Sequence, residues 1–273
     1  QQDAEKVQQW VEERMLAHVT TLRGIQAFWS RNPEGVTNKE FSAYIHSLNI
    51  LSDYPGISSV IFIKPNGKQL LTTYIEPLSG RETALGFDSN ADTFRKTFFE
   101  LIRDSGQIMA SEPVTLVTTA RPGFFLAAPL YQGTSLPRSI NERQTKLIGF
   151  TAIVFREAEV FKAIFGRKNP LPDIDFAIFH GYYDSLPAEG KLLFDSDPEF
   201  DPTAYSKFMQ TKKYIAIGNT PWTIIVTANP AFSLTWAEEK LPLFILTSGL
   251  ALSSILALTI IYFSRLHLKK WHN

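Results

Sequence analysis

The chain has 273 residues, enough for one or two domains with a real hydrophobic core. Lys+Arg and Asp+Glu both number 27, so no bulk charge draws the protein to nucleic acid. Cysteine is absent, which excludes disulfides, thiolate nucleophiles and Cys-ligated zinc, and the 21 Phe foretell a Phe-rich core.

Residues 3–31 read as one long helix. Val11, Met15, His18, Leu22, Ile25 and Trp29 recur at heptad spacing, with His18 the polar member of the seam. Such a stripe either packs on its own domain or pairs with a second copy, and a homodimer through this helix is expected. Asn32-Pro33-Glu34-Gly35 ends the helix. Thr37 with Glu40 three residues on is a capping-box signature for a helix over 38–51. The β-branched run 57–63, the turn Pro65-Asn66-Gly67-Lys68 and the run 69–75 predict a hairpin. A helix over 93–105 stops at Gly106. Strands are expected at 114–118, 124–131 and 147–155, with a polar loop over 132–144, then a short helix over 158–165. After the Asn169-Pro170-Leu171-Pro172 break, 175–180, 191–195, 212–217 and 222–227 predict a second antiparallel sheet. Short strands interleaved with helices define an α+β fold.

Leu241 to Phe263 carries no charge. At about 1.5 Å per residue it spans roughly 34 Å as a helix, enough for a hydrocarbon core of ~30 Å. Pro242 then falls in the first helical turn, where a missing N–H costs little. Arg265, His267, Lys269 and Lys270 follow the span, and the positive-inside rule puts that end in the cytoplasm of an inner or plasma membrane. Residues 1–240 are expected outside, periplasmic or extracellular.

Ordered runs along the chain carry a resemblance. Leu22-Arg23-Gly24-Ile25-Gln26-Ala27-Phe28, Pro55-Gly56-Ile57, Leu85-Gly86-Phe87-Asp88, Ser105-Gly106-Gln107 and Ala110-Ser111-Glu112-Pro113-Val114 come first. Ala128-Pro129-Leu130-Tyr131, Glu142-Arg143, Leu147-Ile148-Gly149-Phe150 and Phe155-Arg156 follow in order. The sequence resembles the CHASE sensory domain family. The resemblance implies a long helix, then two PAS-like antiparallel-sheet subdomains, then a C-terminal transmembrane helix. It divides the chain into helices over 1–53, a membrane-distal ligand-binding unit over 54–167, a membrane-proximal unit over 168–240, the span 241–263 and a cytoplasmic start at 264–273. It also implies a histidine kinase or diguanylate cyclase output downstream.

By the same resemblance, Asp88 stands at the family's ligand-binding aspartate, Ala110 at a main-chain contact and Thr119, with Thr118 as alternative, at a contacting threonine. Phe62, Phe87, Leu126 and Tyr131, together with Phe125, are candidate apolar walls. Arg121 and Pro122 depart from the pattern of the family's cytokinin receptors, and Arg121 would either favour an anion or simply be solvated. The implied ligand is a small molecule, adenine-like or a small organic acid. No enzyme is expected within this chain. The five histidines are not spaced as metal ligands, and no nucleophile elbow, phosphate loop or dinucleotide fingerprint occurs. The acidic run Asp195, Asp197, Glu199 and Asp201 reads as a solvated loop before it reads as a cation site. No cofactor, metal or nucleic acid is expected. The rival reading is a membrane-anchored protein-interaction or assembly module, and a solid interior beside Asp88 would favour it.

Overall fold

The computed structural model describes residues 2–32, 34–184, 191–198, 210–228 and 236–270. It divides into two units, 1–229 and 230–273.

The first unit opens on helix α1, Gln2–Ser30. The whole heptad seam is buried within its own chain, His18 included. The surface expected to serve pairing is therefore already covered. Two sheets of the same chain do the covering, because a 29-residue helix with so wide an apolar face reaches both. Helix α2, Asn38–Ser47, starts on the expected capping box: the Thr37 hydroxyl accepts from the Glu40 N–H, and the Glu40 carboxylate accepts from the Thr37 N–H. The predicted 38–51 helix is broken. Asn49 takes a left-handed conformation (φ 52°) and a separate turn, α3, follows at Ile50–Asp53. Asparagine tolerates that conformation better than other non-glycine residues, so the chain bends there.

The first sheet is antiparallel throughout. It contains β1 (Ile57–Asn66), β2 (Gln69–Glu76), β3 (Met109–Ala110), β4 (Val114–Thr115), β5 (Pro122–Tyr131) and β6 (Leu147–Arg156). The order is β2-β1-β6-β5-β3, with β4 also on β5. Helix α4, Thr93–Ser105, is capped by Asp92 and ends on Gly106 at φ 72°, as its sequence foretold. The strand expected over 114–118 stops at Thr115. Leu116 N–H instead bonds Arg121 O and Ala120 N–H bonds Leu116 O, closing a turn with Ala120 at φ 52°. The loop expected over 132–144 contains helix α5, Ile140–Thr145, capped by the Ser139 hydroxyl.

Helix α6, Glu157–Phe165, leads to the second sheet: β7 (Ile174–His180), β8 (Leu192–Asp195), β9 (Gln210–Ile217) and β10 (Thr220–Ala228). Its order is β8-β7-β10-β9, again antiparallel. Glu199 and Asp201 of the acidic run lie outside the described residues.

The two sheets share one core. Phe124 of β5 meets Trp222 of β10 edge-on at 5.5 Å between ring centres, and both are fully buried. A polar seam runs beside them. Ala110 N–H donates to Thr220 Oγ1 (2.9 Å), and Asn219 N–H donates to Ile108 O (2.8 Å). Gly218 makes this approach possible: it sits at φ 62°, and a Cβ there would lie 2.4 Å from Ile108 O.

The second unit is described through one helix, α7, Trp236–Lys270. Its stretch Lys240–Tyr262 is long and apolar enough to cross a membrane. The helix begins before the predicted span, so Pro242 stands inside it and not in its first turn.

Candidate ligand pocket of the first sheet

The first sheet is apolar on both faces, and this sets the site. One face carries Val60, Phe62, Phe124, Leu126, Ile153 and Phe155 against α1. The other turns Ile63, Phe125, Ala127, Phe150 and Ala152 toward Phe98, Phe99 and Ile102 of α4. Side chains alternate along a strand, so neighbours in sequence serve different cores.

On the α4 face the packing leaves a hollow of about 70 Å³. That is room for several waters, so a larger ligand must displace part of the lining or project from the mouth. Its floor is Ser59, Ile61 and Ile63 of β1 with Phe125 of β5 and Val154 of β6. Phe99 and Arg95 of α4 form one wall, and Val114, Leu116, Val117 and Thr118 form another. Ala84, Phe87 and Ser89 roof it, from the segment that crosses back over β2.

The roof is strapped down by backbone. Thr72 N–H donates to Phe87 O (3.0 Å), and Gly86 N–H donates to Thr72 O (2.8 Å). Asp88 adds the third strap: its Oδ1 accepts from Leu70 N–H (2.9 Å) and Asn90 N–H (3.0 Å). A buried or half-buried carboxylate with two such donors is a fastener.

The sequence-derived site residues therefore separate. Phe87 lines the hollow, as do Phe125 and Thr118. Asp88 adjoins it but spends its oxygen on the roof. Phe62 lies on the α1 face, stacked on Trp29 at 4.1 Å, and Leu126 is on the same face. Ala110 has its N–H taken by Thr220, and its carbonyl lies 3.3 Å from both Thr220 Oγ1 and His180 Nε2. Burial lowers the His180 pKa, which favours a neutral ring there. Tyr131 donates its hydroxyl to Arg103 O, and burial pushes the phenol up to about 12, so it stays a donor. Thr119 and Arg121 are exposed.

Arg95, Ser59, Thr72 and Ser89 line the hollow without having been singled out. Arg95 had a visible signal: Asp92 three residues before it marks a helix start, where an N3 side chain folds back toward the cap. Its guanidinium bonds Asp92 Oδ2 (3.0 Å) and Thr115 O (2.9 Å) and lies 5.3 Å from the centre of the Phe87 ring.

Removing the roof strap has a defined result. Asp88→Ala leaves the Leu70 and Asn90 N–H groups without their acceptor and lowers stability by about 1–2 kcal/mol. Hydrogen exchange at Leu70 and Asn90 accelerates while amides of β6 stay protected; unchanged exchange at both positions would remove the fastener role.

The larger hollow between α6 and the second sheet, about 540 Å³, is an open cleft with Lys162, Arg167 and Lys168 on its rim. The smaller one is the better fit to a ligand site, being mostly apolar with a few convergent polar groups.

The chain thus has a long helix backing two antiparallel sheets, the first of them with a roofed hollow. The CHASE domain model matches residues 61–194, and this segment of the chain is a CHASE domain. Among solved structures, the chain is similar to an extracellular ligand-binding receptor from Desulfohalobium retbaense at 13% identity and a TM-score of 0.55. That alignment covers 84% of this chain and 39% of the other. The ligand-binding domain of the Pseudomonas aeruginosa amino acid chemoreceptor PctB, in complex with L-Gln, aligns at 14% identity and a TM-score of 0.50. There the coverage is 88% of this chain and 93% of that one. At such identities the likeness is one of fold. No curated protein sequence matches.

Proposed function

We propose that the chain is the sensory region of a transmembrane receptor that binds a small molecule in the hollow beneath residues 84–89 and reports it across the membrane. In this reading residues 54–167 are the ligand-binding unit and 168–240 the membrane-proximal unit. The 241–263 stretch crosses an inner or plasma membrane, and the C-terminus enters the cytoplasm ahead of a kinase or cyclase output. The roofed hollow within the CHASE segment carries the proposal. It weighs against the interaction-module reading, which called for a solid interior beside Asp88. The apolar stretch of α7 and the basic residues that follow that stretch support the orientation.

Transmission follows from shared strands. Phe125 of β5 lines the hollow, and its N–H donates to Ser111 Oγ (3.0 Å) next to the Ala110–Thr220 seam. A ligand that favours one arrangement of β5 biases the seam and hence β10, the strand preceding α7 in the chain. It does so only by the difference in its affinity for the two arrangements.

Filling the hollow tests the proposal. Ser59 is buried on the floor, and Ser59→Phe places a ring where the ligand would lie. In the intact receptor this variant folds, reaches the membrane and loses its stimulus response. A response equal to that of the wild type would overturn the ligand site.

A further inference from the structure

The charges around the hollow are one-sided. Its lining contains Arg95, four hydroxyl side chains (Ser59, Thr72, Ser89, Thr118) and otherwise apolar groups, with no carboxylate among the described residues that line it. Asp88, the carboxylate nearest in sequence to the roof, is held by two backbone N–H groups and is absent from the lining. Asp92 is also absent from the lining and accepts from the Arg95 backbone and guanidinium.

Arg95 retains capacity for a ligand. A guanidinium carries five N–H donors in a planar fork that fits a carboxylate. Single bonds to Asp92 and Thr115 use two of them. The side chain is only 14% exposed, so an interaction there is less screened than at the surface. The guanidinium carbon lies over the Phe87 ring, 5.3 Å from its centre, which adds a cation–π contact. Arg95 also stands in the first turn of α4, where the helix dipole adds to the attraction for negative charge.

An ammonium group would find no such partner. Burying it against Ile61, Ile63, Phe87, Phe99 and Phe125 costs several kcal/mol unless a carboxylate or several acceptors compensate. Resting on the ligand-site reading above, we infer that the pocket takes a small organic acid with an apolar body and no ammonium group. The carboxylate meets Arg95 and the neighbouring hydroxyls, and the hydrocarbon fills the Ile61–Phe125 side. Free α-amino acids are rejected by the group that distinguishes them from such acids.

Three probes of one skeleton decide this: 3-methylbutanoate, its neutral amide and valine, which adds only an α-ammonium. Acetate and benzoate bracket the size. Binding is followed by calorimetry and thermal shift on the full chain in zwitterionic lipid nanodiscs. At least one acid of the series binds, with the matched amide and valine weaker by tenfold or more. Arg95→Gln reduces acid binding at least tenfold and leaves the amide unchanged. Thr118→Val, which alters no charge and no helix cap, lowers acid affinity severalfold should Arg95→Gln fail to fold. Amide or valine binding as tight as the acid, abolished by Ser59→Phe, would overturn the acid class and keep the pocket. Binding by none of the acids would likewise overturn it. If Ser59→Phe also leaves the intact receptor's stimulus response unchanged, the ligand-site reading itself fails.

Discussion

Trp222→Ala lowers the unfolding free energy by about 3–5 kcal/mol, the largest loss expected from a single side chain outside the pocket. Trp222 is fully buried and touches both halves of the first unit: Phe124 at 5.5 Å across the sheet interface and Phe161 of α6 at 6.4 Å. Truncation removes the transfer energy of an indole and opens a cavity between two sheets. Those sheets are held at fixed spacing by α1 and by the Ala110–Thr220 seam, so they cannot close on the gap. Trp222→Phe separates packing from chemistry. The indole N–H has no hydrogen-bond partner among the described residues, so phenylalanine discards a cost while keeping most of the ring contact. Its penalty should be roughly half that of alanine or less. Denaturant melts of both variants, followed by probes in each sheet, provide the measurement. A single cooperative transition shifted in both probes is expected. Two transitions in Trp222→Ala, with the first sheet at wild-type stability, would mean that the sheets do not share one core.

Much of this fold could be read from local signals. The Thr37–Glu40 box, the Gly106 stop and the Asn66-Gly67 turn each name a backbone geometry that few residues satisfy, and each is found where the sequence put it. Ser139-x-x-Glu142 is a signal of the same kind, and α5 was legible but passed over for the polarity around it. Face assignment was not legible. Phe124-Phe125-Leu126-Ala127 is apolar at every position because the strand is buried on both sides, so alternation gives no sign of which side meets α1. Phe62 and Leu126 were thus grouped with Phe87 although a full sheet thickness separates them. The engagement of Asp88 was illegible for another reason. A sequence displays the carboxylate but not the Leu70 amide, 18 residues earlier, that claims it. Arg95 is the converse, an ordinary helical arginine until the turn at 116–121 folds over it.

Acid should weaken the domain through His18, by about 3 kcal/mol in full. Both ring nitrogens are buried without a hydrogen-bond partner among the described residues, and the ring lies 4.9 Å from Tyr54 and 4.9 Å from Phe155. Burial, with Arg14 one turn away as the lesser cause, lowers the pKa from 6.5 to about 4. The fold therefore holds the neutral ring, while the unfolded chain takes up a proton near pH 6.5. Stability is complete above that value and is lost as pH falls through 6.5 toward 4, at about 1.4 kcal/mol per unit. His18→Leu keeps an apolar side chain in the seam and removes the titration. Chemical denaturation of both proteins at pH 7.5 and 4.5 cancels the carboxylate background common to the two. The wild type should lose about 2–3 kcal/mol more than the variant between these conditions. Because α1 packs on both sheets, the loss falls on an element that spans the two. Equal losses in the two proteins would mean that His18 accepts its proton in the folded state, through a partner or an opening of α1 that leaves the sheets intact.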